Sequence, residues 1–226
     1  MKILAVDTAL GACSVAVIED ETVRAHRFEV MARGHAEALA PMVEAAMADA
    51  HLAFAALDRL AVTTGPGTFT GQRVGLAFMR GLRLALKRPL IGVTTLEAMA
   101  AAALAETDAP VAAALHDARR GEVYLQAVTR DAPLLPVQVQ AFDAAIALLK
   151  DALSPFARVA LAGTAAQASG EALRAAGVEA LVSSVVQPDA RWVARLARLA
   201  PETDKPPRPL YLRPPDAKLP ARPGAK

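Results

Sequence analysis

The chain has 226 residues, 54% of them apolar and 21% charged, with a formal net charge of +2. That balance supplies enough apolar surface for a sizeable core, and it excludes both an intrinsically disordered chain and a generally basic nucleic-acid binder. The single cysteine, Cys13, excludes an internal disulfide, and the longest apolar run, Ala98 to Ala105, is far below the roughly 18 residues of a membrane span. The apolar stretch between Lys2 and Asp7 is too short for a secretory leader, so a soluble protein of the cytoplasm, with no membrane partner, is expected.

Residues 2–7 read as a buried strand ending in the carboxylate of Asp7. After a turn at Gly11, Cys13 to Ile18 and Thr22 to Val30 read as two further strands of a meander. Residues 35–50 give a helix with Leu39, Met42, Val43, Ala46 and Met47 on one stripe, and Pro41 predicts a kink or a late start. Leu57 to Thr63 is a short strand, Gly65-Pro66-Gly67 a turn, 70–87 a long helix, Leu90 to Val93 a strand and 95–105 an Ala-rich helix. This order predicts an α/β domain with a mixed sheet. In the second half, Val111 to Leu115 and Val123 to Val128 flank a polar turn from Asp117 to Glu122, like a hairpin. A helix at 141–150, a strand at 158–162 and helices at 165–176 and 190–200 follow. Both halves open on a strand leading to an aspartate, Asp7 or Asp117, which suggests a duplicated architecture.

Residues 205–226 hold six of the 25 Lys and Arg, one of the 23 Asp and Glu, and seven of the 16 prolines. This tail is therefore extended and basic, either a solvated terminus or a segment that touches RNA phosphates.

The densest motif runs from Gly65-Pro66-Gly67 through Thr68, Thr70, Gly71 and Gly75. It lacks the Lys-Ser/Thr end of a P-loop and the glycine spacing of a dinucleotide fold, so it reads as a tight turn with Thr68 or Thr70 capping the next helix. On that helix, at about 100° per residue, Gln72, Arg73, Arg80, Arg83 and Lys87 share an arc about 100° wide, and apolar residues including Val74, Phe78 and Leu82 cover about 220°. That is more than one sheet contact needs. With Gly71 and Gly75 leaving room for close approach, the helix and its neighbour at 35–50 are expected to form an intermolecular helix-pair interface through Leu39, Met42, Val43, Met47, Gly71, Val74, Gly75, Phe78 and Leu82. Gly75 is expected to face outward there. The four histidines show no metal-ligand spacing and no nucleophile elbow exists, so no metal and no catalytic residue is expected. Asp7 and Asp117 cap turns or orient a hydrated cation between two lobes, and Asp117, Arg119 and Glu122 either cluster at a lobe interface or form a solvated hairpin tip.

Asp7-Thr8-Ala9, Gly34-His35, Gly65-Pro66-Gly67-Thr68-Phe69-Thr70-Gly71 with Arg73-Val74-Gly75, Asp117-Ala118-Arg119 with Gly121-Glu122-Val123-Tyr124, and Tyr211-Leu212-Arg213 together resemble the TsaB (YeaZ) family, over residues 1 to 213. The resemblance implies an α/β protein of two ribonuclease-H-like lobes with the actin/Hsp70/sugar-kinase (ASKHA) fold, the second lobe small. On it the domains are 1–105, a first lobe carrying the partner-binding helices; 106–204, a smaller second lobe; and 205–226, the Pro-rich basic tail. It also implies a non-catalytic scaffold and activator in the synthesis of threonylcarbamoyladenosine on tRNA, binding a catalytic TsaD-type paralogue and a TsaE-type ATPase. The isolated chain would be a homodimer, and tRNA would be met only through the complex. No cofactor is implied, though Asp7, Thr8, Asp117, Arg119 and Glu122 leave room for weak residual nucleotide binding. The alternative is an autonomous nucleotide-dependent ATPase or kinase of the same fold. A peptidase reading finds no nucleophile or carboxylate dyad.

Overall fold

A computed structural model describes residues 1–213. Strands β1 (Lys2–Asp7), β2 (Ala12–Glu19) and β3 (Thr22–Val30) form the meander. Helix α1 (His35–Asp49), β4 (Arg59–Thr63), α2 (Phe69–Leu86), β5 (Leu90–Val93) and α3 (Thr95–Glu106) follow. The second half adds β6 (Val111–Arg119), β7 (Glu122–Thr129), β8 (Pro133–Ala141), α4 (Phe142–Leu153), β9 (Arg158–Ala162), α5 (Ala166–Ala175), β10 (Glu179–Val182) and α6 (Ala190–Leu199).

The strands make two five-stranded sheets in the orders β3-β2-β1-β4-β5 and β8-β7-β6-β9-β10. The two orders are one topology used twice, with an antiparallel meander on one side and parallel neighbours on the other. The duplication expected from the two aspartate-terminated strands is thus present as architecture. Helices α1 and α2 cover one face of the first sheet, where Leu39, Val43 and Met47 meet Val15, Val17 and Leu60. Helices α4 and α5 cover the matching face of the second.

The inner faces are covered crosswise. Leu96, Met99, Ala100 and Ala103 of α3 pack on Ala112, Ala114 and Ala160 of the second sheet. Val193, Ala194 and Ala197 of α6 pack on Ile3, Ala5 and Ala61 of the first. Residues 190–199 therefore fall in the sequence range expected of the second lobe and lie against the first. Arg59 secures that return: its buried guanidinium donates to the Ala200 carbonyl at 2.8 Å and to Glu202 at 3.1 Å.

Three local readings differ. Helix α1 begins at His35 and runs through Pro41 without a late start, because Glu37 and Pro41 both lie on the solvent side, where the unserved carbonyl meets water. Strand β8 was not expected: Pro133 and Pro136 obscure its pattern, and both are tolerated because it is an edge strand. Strand β10 has four residues and is also an edge, too short for a periodic signal. Among the described residues no helix is long and apolar enough to cross a membrane.

Candidate functional site

Asp7 ends β1 and is fully buried. Its Oδ1 accepts from the Thr63 hydroxyl at 2.5 Å and from the Ala9 N–H at 3.2 Å, while Oδ2 has no hydrogen-bond partner among the described residues. Burial pushes its carboxyl up to about 7; the Thr63 and Ala9 hydrogen bonds pull the other way, and the charge of Asp189 adds to the rise. Thr8 donates its hydroxyl to the Gly71 carbonyl at 2.7 Å and accepts from the Gly75 N–H at 3.0 Å.

These contacts explain the glycines. A Cβ on Gly67 would sit 2.3 Å from the Ala9 carbonyl, one on Gly71 2.1 Å from the Thr8 carbonyl, and one on Gly75 2.7 Å from Thr8 Oγ1. The first turns of α2 thus lie directly on the turn that follows β1. Gly71 and Gly75 face inward, which corrects the expectation that they open a surface to another molecule. Ala9 and Leu10, on the same turn, are buried against Leu96 and Met99 of α3. The turn next to Asp7 is closed by the chain itself.

Asp117 caps its own hairpin: Oδ1 accepts from the Arg119 N–H at 2.7 Å, and the Asp117 N–H donates to Thr164 Oγ1 at 2.9 Å. Arg119, Arg120 and Gly121 are all left-handed, with φ of 65°, 59° and 74°. Glu122 pairs with Arg213, which also donates to the Ala118 carbonyl at 2.6 Å. The expected mutual cluster of Asp117, Arg119 and Glu122 is therefore not formed by their side chains. A strap from the C-terminal segment supplies the counter-charge instead. Among the described residues no hydrogen bond or ion pair joins this hairpin to Asp7 or Thr8, and no group of three or more His, Cys, Asp or Glu is placed to hold a metal ion.

The interface residues expected on α1 are also internal. Leu39, Met42, Val43 and Met47 are buried in the first core, and Val74, Phe78 and Leu82 are half-buried against it. The phase of α2 differs from the expected one because the middle of its polar arc is covered, although Arg73 and Lys87 remain exposed. Gln72 is buried and donates to the Gly67 carbonyl at 2.9 Å, Arg83 donates to the Asp204 carbonyl at 3.0 Å, and Arg80 donates to the Pro207 carbonyl. Besides Phe69 and Arg73 at its first turn, α2 leaves Thr70, Ala77, Gly81, Leu84 and Ala85 to solvent, with Leu84 73% exposed. A Cβ on Gly81 would meet open space. Ala77, Gly81 and Ala85 recur at i, i+4 and i+8, and they point outward because the main-chain carbonyls of Asp204 and Pro207 cover Arg83 and Arg80 instead of leaving them to solvent, which nothing local in the sequence reveals.

A family described as TsaD: tRNA N6-adenosine threonylcarbamoyltransferase matches residues 28–171, well over half of the chain. The tRNA threonylcarbamoyladenosine biosynthesis protein TsaB of Escherichia coli is 44% identical over 131 residues, covering 58% of this chain and 56% of that protein. The chain belongs to this family, in its TsaB (YeaZ) branch. It matches only about half the length of the curated TsaB relatives. A Pseudomonas aeruginosa structure described by its similarity to peptidase YEAZ superposes with a TM-score of 0.75 at 29% identity, covering 94% of this chain and 99% of that one. The dehydratase component A of Acidaminococcus fermentans, at 11% identity and a TM-score of 0.51 over 87% of this chain and 97% of that one, shares the fold alone. The two-lobed ASKHA architecture, expected from the TsaB resemblance, is the one these neighbours share.

Proposed function

We propose that this TsaB-family chain is a non-catalytic subunit in the synthesis of threonylcarbamoyladenosine on tRNA. It docks a TsaD-type catalytic paralogue on the outer face of α2, and a TsaE-type ATPase joins the assembly in the cytoplasm. The observation that carries this reading is the outward row Thr70, Ala77, Gly81 and Ala85, an exposed helix face small enough for another helix to approach closely. Leu84 on its flank supplies an apolar anchor. Val74 and Phe78, half-buried at the border toward α1, extend that contact. The same face pairs two copies when the paralogue is absent, so the two assemblies compete. The closure of the turn beside Asp7 supports a subunit that leaves the chemistry to its partner, because an autonomous nucleotide-dependent enzyme needs that turn open.

The experiment is co-purification with the TsaD-type protein, followed by a tRNA-modification assay with and without this chain. Gly81→Arg should remain folded, lose association and lose its support of modification. Unchanged pull-down by a folded Gly81→Arg variant would move the interface elsewhere. ATP turnover by the isolated chain would favour the autonomous enzyme.

A further inference from the structure

Residues 203–213 run antiparallel to α2 as an extended strap, held by Arg83 at Asp204, by Arg80 at Pro207 and by the Leu210 N–H at the Thr64 carbonyl, 2.8 Å away. Where the strap passes the first turn of α2, two aromatic rings stand in the open. Phe69 is 58% and Tyr211 47% exposed, in a chain with only six Phe, two Tyr and one Trp. The rings stack at 5.9 Å and 27°. The Arg73 guanidinium lies 3.5 Å from the Phe69 centroid, and its Nε donates to the Tyr211 hydroxyl at 2.8 Å.

Cations lie along this edge. Arg73 sits against the rings, Arg119 stands on the hairpin that Arg213 reaches, and Arg208 and Lys205 follow along the strap toward the far end of α2; all four are exposed and none is in an ion pair among the described residues. Of the nearby acids, Glu122 is paired with Arg213, and the exposed carboxylates Asp117, beside Arg119, and Asp204, beside Lys205, leave the cations in the majority. Burying two large rings would be favourable, yet among the described residues both stay about half exposed. Arg73 takes one face of Phe69, and the rest of the ring pair stays exposed beside Arg119 and Arg208. Exposed rings next to cations make the combination that single-stranded nucleic acid uses: phosphates meet the cations and bases stack on the rings regardless of sequence. An acidic protein segment would use the cations and leave the rings without a stacking partner.

We infer that this edge binds a single-stranded segment of RNA, with an unpaired base on the Phe69–Tyr211 pair and phosphates on Arg119, Lys205 and Arg208. The inference deepens the proposed function and rests on it for the source of the RNA. The two surfaces are distinct: at about 100° per residue, Phe69, Arg73 and Arg80 lie on a strip centred about 80° from Thr70, Ala77 and Gly81. RNA and the protein partner can therefore be held together.

The test is fluorescence anisotropy of the full chain with labelled oligouridylate of about ten nucleotides, a length within the site size of such grooves. Binding should weaken steeply between about 50 and 200 mM salt. Tyr211→Ala should weaken it about tenfold at both salts, while Tyr211→Phe, which keeps the ring and loses the hydroxyl contact to Arg73, should bind nearly as the parent does. Lys205→Gln with Arg208→Gln should flatten the salt dependence by about two units of slope. Gly81→Arg should leave RNA binding unchanged whatever it does to the partner, which separates this inference from the proposed function. Absence of salt-dependent binding by the parent, or Tyr211→Ala binding as the parent does, overturns it. Loss of the TsaD-type partner by Tyr211→Ala with no RNA binding in the parent would make the edge a protein contact and also overturn it.

Discussion

Asp7 is held in a site that favours its neutral form. Because its folded pKa, about 7, lies above the unfolded carboxylate value of about 4, stability is greatest below pH 4 for this group and is lost as pH rises to about 7. Asp7→Asn keeps an acceptor for Thr63 and removes the titration. The variant should be more stable than the parent at pH 8 by a few kcal/mol (on the order of 3), with the advantage gone near pH 4, as urea midpoints measured across that range would show. A flat difference between the two proteins would mean that Asp7 is not enclosed as described. Gly71 is the other residue with no alternative, since the atom a methyl would strike is the Thr8 carbonyl of the main chain. Gly71→Ala should cost about 3 kcal/mol in denaturant unfolding, at the upper end of the overpacking range. Arg59 serves the carbonyls that end α6. Arg59→Met leaves them buried without a donor and should cost about 2–3 kcal/mol, read from the same curves.

Among the elements, α2 shows how far a helical pattern can be taken. Its length, its Thr68 cap, with Oγ1 accepting from the Gly71 N–H at 3.1 Å, and its Gly-rich entry are all local and were legible. Its orientation was not. Rotational phase depends on which neighbours take each arc, and a row of arginines reads as solvated until a strap of carbonyls is laid over it. The consequence is measurable in a pair of variants: Gly75→Arg should lower the melting midpoint sharply, and Gly81→Arg should leave it near the parent value, since one site meets Thr8 and the other open space. Equal midpoints would contradict the assignment of buried and open faces. Strands β8 and β10 were illegible for a different reason. An edge strand draws its stability from one neighbour only, so prolines and shortness, which would exclude a central strand, are tolerated there.

At the scale of the molecule, the two lobes are tied by α3 and α6, which cross between sheets, and by the strap that carries Arg213. Arg213 is the tie between the strap and the second lobe, through Glu122 and the Ala118 carbonyl. Arg213→Ala should speed amide exchange in the hairpin from Ala118 to Glu122 while shifting global stability by less than about 1 kcal/mol, because the Glu122 side of the pair is partly solvated. Unchanged exchange there would mean that the strap does not tie the lobes. By itself the sequence determined the succession of elements apart from β8 and β10, the meander opening the first half, the hairpin opening the second, the capped glycine turn, and a composition sufficient for a sizeable core; these rest on periodicity and turn chemistry within a few residues of each other. Residues 214–226, the remainder of the basic tail, lie outside the described residues. Only the tertiary structure decided that Gly71 and Gly75 face Thr8, that α6 returns to the first sheet, and that Glu122 meets Arg213 instead of Arg119. Each of these is a contact across a long sequence separation, and its partner is selected by the packing of whole layers, which no local pattern encodes.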